Sequence, residues 1–259
     1  MTFTTLEVRA EGALGTLELN RPEKRNALSS TVLAELAAAA RWFDERPGVK
    51  VVVVSGRGRS FSAGADLASF TSPDPDLPTR TAADLGRLMA DAIEAMDAVT
   101  VVKLHGHCVG GGLVLAAACD LRVAADDTFF SIPEVDLGIP LAWGGIPRLV
   151  REVGPALTKE LVMTCRPFTA AEAQASGFLN RVVPFETLDD EVDSLVTTLA
   201  AMSPLTLRAT KHHVNAVTAQ MVGTDRSWSD ADALVSALHD PESRAVATAY
   251  LERFTKRGD

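Results

Sequence analysis

Val99-Thr100-Val101-Val102-Lys103-Leu104, followed six residues on by Gly110-Gly111-Gly112-Leu113-Val114-Leu115-Ala116-Ala117-Ala118, is the stretch on which the fold turns. Its first part is β-branched and apolar, the composition of a strand. Three glycines then open an apolar run that reads as a helix. Strand, glycine turn and helix in that order make an α/β unit.

The same order appears upstream. Val49 to Val54 is nearly all valine, which predicts a strand buried on both faces. It leads to a second small-residue turn, Phe61-Ser62-Ala63-Gly64-Ala65-Asp66. Downstream, Leu121-Arg122-Val123 and Phe129 to Ile132 predict two more strands, and Pro133-Glu134 follows the second. Phe3 to Asn20 alternates as a hairpin with a turn at Glu11-Gly12, and Ser29 or Ser30 caps a helix carrying Val32, Leu36, Ala39 and Phe43. Residues 71–79 (TSPDPDLPT) predict a mobile loop before a helix over about Ala82 to Met96. Thr169-Ala170-Ala171-Glu172 has the capping-box pattern, with Gly177 at the helix end, and Val182-Val183 is a short strand closed by Pro184. From Thr187 onward the pattern is helical only, and Asp240-Pro241 starts a final helix. The reading is an α/β core over residues 1–195 and an all-helical region over 196–259.

The whole chain has 259 residues, enough for one large domain with a substantial core. Its net charge of −9 argues against nucleic acid or an acidic membrane surface as partner, while leaving room for a small anionic ligand. Cys108, Cys119 and Cys165 lie in apolar surroundings and form no CxxC, so a reduced, cytoplasmic setting is expected. The first residues show no targeting segment, and no apolar stretch reaches the roughly 20 residues of a membrane span.

Several residues carry possible chemistry. Ala63-Gly64-Ala65-Asp66 lets a ligand approach the backbone, and Asp66 can cap a following helix; taken alone, the motif is better explained as an ordinary strand-to-helix turn. Gly110-Gly111-Gly112 offers free N–H groups at the positive end of a helix dipole, though tight packing also asks for glycine. Two such turns can converge on one carbonyl oxygen, and Glu134 can move a proton beside it. That combination suits chemistry through an enolate-like anion. No GxxxxGK[ST], GxGxxG or GxSxG sequence is present. His105 and His107 share a strand face next to Cys108, but no third ligand of matching spacing is nearby, so structural histidines are expected and no metal. His212 and His213 are read as surface residues. Arg21, Lys24 and Arg25 form a cluster that is either solvated or holds a phosphorylated ligand.

In order along the chain, Asn20-Arg21-Pro22 with Asn26-Ala27-Leu28, Phe61 to Asp66, Gly106 with Gly110-Gly111-Gly112, Cys119-Asp120, Pro133-Glu134 with Leu137-Gly138, and Gly144-Gly145 with Arg148-Leu149 resemble the crotonase superfamily, the enoyl-CoA hydratase/isomerase family. The resemblance covers essentially the whole chain. It implies a spiral of repeated ββα units with a C-terminal helical trimerisation region, as a homotrimer or a dimer of trimers. It implies an acyl-CoA thioester as substrate and no cofactor, coenzyme A being part of the substrate.

The resemblance also assigns roles. Ala65 and Gly111 would donate the two oxyanion N–H groups, each worth ~3 kcal/mol in the transition state. Ala63, Gly64, Ala65, Asp66 and Leu67, with Gly110 and Gly111, would run along coenzyme A, with Lys24 and Arg25 nearby. Tyr250 and Arg253 match positions that can reach a neighbouring subunit's coenzyme A. Hydratases of the family use two glutamates: the second matches Glu134, and the first falls at Val114, which cannot activate water. The expected reaction is therefore Δ3-Δ2-enoyl-CoA isomerisation through Glu134 alone, with hydration of 2-enoyl-CoA and non-catalytic acyl-CoA binding as the alternatives. Val114, Leu141 and Trp143 would shape the acyl pocket. Asp136 is assigned to the surface.

Overall fold

The computed structural model of the chain describes residues 2–67 and 76–257. Two sheets organise it. The larger has six strands in the order β1-β2-β3-β4-β6-β9: β1 is Leu6–Glu11, β2 Leu14–Leu19, β3 Val51–Gly56, β4 Val99–Leu104, β6 Leu121–Ala125 and β9 Arg181–Val183. Only the β1/β2 hairpin is antiparallel, and every later neighbour pairs in parallel. The smaller sheet joins β5 (His107–Val109), β7 (Phe129–Ser131) and β8 (Phe168–Thr169).

The valine-rich strands are buried on both faces, as their composition requires. Val52 and Val54 enter the main core, while Val51 enters a second cluster with Val101 and Val123. That second cluster is covered by Leu188, Val192, Leu195 and Val196 of α6 (Leu188–Ala200). The boundary expected at residue 195 thus falls inside a helix packed on the sheet. On the main-core side lie α1 (Ser30–Asp44), capped by Ser29 as expected, and α2 (Thr79–Ala95). The second begins three residues before the expected Ala82, because Pro78 precedes it and its C=O accepts from Ala82 N–H at 2.9 Å. Most of the loop expected over 71–79 lies outside the described residues.

The remaining helices are α3 (Gly111–Ala117), α4 (Gly145–Thr164), α5 (Ala170–Ala175), α7 (Pro204–Met221), α8 (Asp230–His239) and α9 (Pro241–Arg257). Thr169 caps α5 by accepting from Glu172 N–H, and Asp240 Oδ2 accepts from Ser243 N–H at 2.8 Å to start α9. Among the described residues no helix is long and apolar enough to cross a membrane.

The ββα repeat follows from how the two sheets share the chain. β4 ends in the large sheet, the chain turns at His105-Gly106, and β5 enters the small one; β6 and β7 repeat the step. His105 and His107 therefore do not share a strand face: His105 lies in the turn after β4, and Gly106 (φ 60°) separates it from His107, the first residue of β5. His105 Nε2 meets Gly58 O at 2.8 Å, and His107 Nδ1 lies 3.3 Å from Ser60 Oγ.

Candidate active site

Parallel register in the small sheet is what assembles the site. Ser62 pairs with Cys108, and Cys108 pairs with Phe130, so three chain segments run side by side in the same direction. Three or four residues further on, each segment leaves the sheet, at Ala65, Gly111 and Glu134. Residues far apart in sequence thus arrive at one place because their strands end together.

The first turn is clamped by residues 21–28. Asn26, fully buried, donates through Nδ2 to Arg57 O and Ser60 O, both at 2.9 Å, and accepts from Arg21 N–H at 2.9 Å. Its own C=O accepts from Ser62 Oγ at 2.9 Å, and that oxygen accepts from Gly64 N–H at 3.2 Å. Ala63 N–H donates to Arg25 O, Leu28 N–H to Gly64 O and Asp66 N–H to Leu28 O. Gly64 has φ 88°, and a β-carbon there would lie 2.7 Å from Val109 O and 3.6 Å from Gly111 N. The two turns touch. Among the described residues, no hydrogen bond uses the N–H of Ala65 or of Gly111. Two donors left without protein partners fit an oxygen supplied by a ligand.

Gly110 stands between the second turn and Glu134. Its φ of 49° and ψ of −116° suit glycine alone, and a β-carbon there would collide with Glu134 Oε1. Glu134 is 8% exposed and Oε2 has no hydrogen-bond partner. Burial away from charge partners pushes its pKa up to about 7. A buried carboxyl at that value takes up and releases a proton near neutral pH.

Apolar groups close the other side. Val114, on α3, and Leu141 face the same glycine: a β-carbon on Gly145 would lie 2.9 Å from Val114 Cγ2 and 3.0 Å from Leu141 Cδ2. The Trp143 indole sits against Gly111, where a β-carbon would lie within 3.0 Å of its Cη2 and Cε3. Of the expected site, the structure brings together Ala63, Gly64, Ala65, Gly110, Gly111, Glu134, Val114, Leu141 and Trp143.

The other expected residues lie around this centre. Lys24 is exposed on a short 3-10 turn, and Arg25 is half-buried beside Ala63. His107 is held below its usual range first by burial and then by Arg25 and Arg59, which marks a basic rim there. Asp66 Oδ2 accepts from Arg21 at 3.0 Å, and Leu67 ends the described segment, so a helix capped by Asp66 would fall outside the described residues. Asp136 faces solvent, 3.8 Å from Arg253.

Tyr250 and Arg253 lie on α9. A β-carbon on Gly138 would run into the backbone of Ser243, so α9 seats on the loop that carries Glu134 in its own chain. Tyr250 has its pKa raised by burial first, then by Asp136 and Glu134, which places it near the same loop. Sequence reasoning quoted Asn26 and Arg148 within motifs without giving either a role, and it missed Ser62 Oγ, Gly86 and Asp230. For Asn26 the available signal was an amide between two loop segments. For Gly86 and Asp230 no local signal exists.

The comparisons agree with one another. A model of the family described as enoyl-CoA hydratase/isomerase matches residues 9–257. A crotonyl-CoA hydratase of Syntrophomonas wolfei is 34% identical over 255 residues, covering 98% of this chain and 97% of that protein. A peroxisomal Δ(3,5)-Δ(2,4)-dienoyl-CoA isomerase of Arabidopsis thaliana is 33% identical over 81% of each chain. Among solved structures, an enoyl-CoA hydratase from Mycobacterium avium subsp. paratuberculosis superimposes with a TM-score of 0.87 at 26% identity, over 96% of this chain and 99% of that one.

Proposed function

The chain belongs to the enoyl-CoA hydratase/isomerase family, and from that premise we propose that it isomerises enoyl-CoA thioesters, moving the double bond from C3–C4 to C2–C3. The observation that carries this reading is the buried carboxylate of Glu134, whose Oε2 has no hydrogen-bond partner, beside two N–H groups that no hydrogen bond among the described residues uses, with Val114 where a second carboxylate would stand.

The thioester oxygen accepts from Ala65 N–H and Gly111 N–H. Glu134 takes a proton from C2: the C2–H electrons form the C1=C2 double bond of a dienolate as the C1=O π electrons move onto the oxygen between the two donors. The proton then returns from Glu134 to C4 as the double bond settles at C2–C3. No atom is gained or lost, no water takes part, and no cofactor is called for. Lys24 and Arg25 meet the phosphates of coenzyme A, while residues 63–67 and Gly110 run along its adenine and pantetheine. Tyr250 and Arg253 lie at the edge of the same loop. Val114, Leu141 and Trp143 surround the acyl carbons. A homotrimer or dimer of trimers is proposed from the resemblance, and the exposed Leu205, Val214, Val217 and Met221 of α7 support it.

Hydration is the second reading, and what favours it is the name of the Syntrophomonas relative, similar along nearly the whole chain. Purified protein given 3-enoyl-CoA and, separately, 2-enoyl-CoA discriminates the two. Isomer from the first without 3-hydroxyacyl product from the second supports isomerisation. Rapid 3-hydroxyacyl-CoA formation overturns it in favour of hydration. No turnover of either, with binding retained, leaves an acyl-CoA binding protein.

A further inference from the structure

Trp143 has a backbone that tryptophan rarely adopts. Its φ is 61° and that of Gly144 is 68°, in a turn closed by Gly145 N–H donating to Ala142 O at 3.0 Å. A bulky residue in this region is strained and persists only where its surroundings impose it. Here they do. Asp230 Oδ2 accepts from Gly144 N–H at 2.8 Å. Arg148, 1% exposed, donates from Nη1 to Gly144 O at 3.2 Å and reaches Trp143 O at 3.5 Å. Asp91, at 2.9 Å, and Glu94, both on α2, hold Arg148 in turn. The turn is fastened to two helices.

The fastening aims the indole. One side of the ring lies on Gly111, the expected oxyanion donor, and the other on Gly86 of α2, where a β-carbon would land inside the ring system. One indole therefore fills the space between the second turn and α2. Any side chain at position 86 would expel it, and any smaller residue at position 143 would open a gap from Gly111 to the helix.

We propose that Trp143 is the end wall of the acyl pocket and makes the site selective for short acyl groups, of butyryl or crotonyl size, over long-chain thioesters. This inference rests on the acyl-CoA reading of the site. An acyl chain whose thioester oxygen binds Gly111 N–H starts beside the indole, and extension toward α2 meets the ring. Arg148 and Asp230 act through Trp143 as positioning residues.

The test is calorimetric titration of the wild-type protein with butyryl-, hexanoyl-, octanoyl- and decanoyl-CoA. The expected result is affinity that stops rising, or falls, beyond hexanoyl-CoA. In Trp143→Ala the affinity should instead climb by about fourfold per added methylene, giving roughly 250-fold between hexanoyl- and decanoyl-CoA. Trp143→Phe, which keeps a ring and most of the packing, should shift the limit partway; it serves if the alanine variant does not fold. A steady rise with chain length in the wild type overturns the proposal, whatever the variants do. Because saturated thioesters are not turned over, chain-length discrimination without isomerase activity removes the proposed reaction and keeps the wall. Isomerase activity with affinity that rises steadily with chain length does the reverse. Absence of any acyl-CoA binding removes both.

Discussion

The carboxylate of Glu134 rests directly on Gly110, so closely that no side chain could be accommodated at that residue. The contact joins the expected proton carrier to the turn that presents the expected anion donor. Moving either moves both. Gly110→Ala is therefore expected to displace Glu134 as well as strain the turn, lowering kcat/KM by at least about a hundredfold. Steady-state kinetics alongside a circular dichroism spectrum checks this; a folded variant with near wild-type activity would refute the coupling.

Glu134→Gln removes the proton carrier while keeping the shape of the side chain. Turnover should fall by about 10²–10⁴-fold or more, with little change in the affinity for a saturated acyl-CoA. In the wild type, Glu134 must be ionised to accept the proton. With its pKa at about 7, kcat/KM should rise with pH up to that value and level off above it. A flat profile between pH 5 and 9 would assign the proton transfer elsewhere.

The same residue gives stability a pH dependence of definite sign. Its pKa is raised on folding, from an ordinary 4.5 to about 7. Below about 4.5 the side chain is neutral in both states and its contribution to stability is fully present. As pH rises through 7 the folded protein must hold a buried carboxylate, and about 3 kcal/mol is lost. Urea unfolding should find Glu134→Gln more stable than the wild type at pH 8 by up to this amount, with the gap closing toward pH 4.

Val114→Glu places a carboxylate at the position where hydratases of the family are expected to carry one. Slow hydration of crotonyl-CoA should appear, with stability reduced by several kcal/mol because the residue is buried beside Leu141. Product analysis for 3-hydroxybutyryl-CoA decides it. If no hydration appears in a folded variant, one carboxylate is not what separates the two reactions here.

Asn26→Ala removes three hydrogen bonds at a buried site and leaves Ser60 O and Arg57 O without that donor. A loss of about 2–3 kcal/mol is expected, together with weaker catalysis because the Ala63-Gly64-Ala65 turn loses its anchor. Denaturant midpoint and kcat measured on the same preparation test whether the anchor serves both ends.

The parts of this molecule legible in its sequence are those set by local chemistry. The valine run from 51 to 54 announces a strand buried on both faces, Val99 to Leu104 announces another strand, and the glycine triplet announces the turn before α3. Ser29, Thr169 and Asp240 mark helix starts because a cap acts within its own turn. What stayed hidden depends on distant pairing. β8 has two residues, Phe168–Thr169, and exists only because Phe130 pairs with it. His105 and His107 alternate like one strand until Gly106 parts them. The indole of Trp143 owes its place to Gly86, more than fifty residues earlier, and to a turn fastened by Asp230, more than eighty residues later. The two turns and Glu134 are legible from the residues, and Ala65 and Gly111 as donors by resemblance, whereas their meeting point is a property of strand register.

That register, Ser62 beside Cys108 beside Phe130, separates two kinds of mutational freedom. The N–H groups at Ala65 and Gly111 belong to the main chain, so no substitution other than to proline can delete them while the backbone path stays intact. Proton carriers are side chains standing on the ends of the same strands, and a single codon can add, remove or move one. On the proposed reading, the architecture holds anion stabilisation constant while the proton-transfer groups remain editable. Relatives named for adding water and for shifting double bonds can share one backbone on these terms, and this chain, with valine at 114 and glutamate at 134, holds one setting of it.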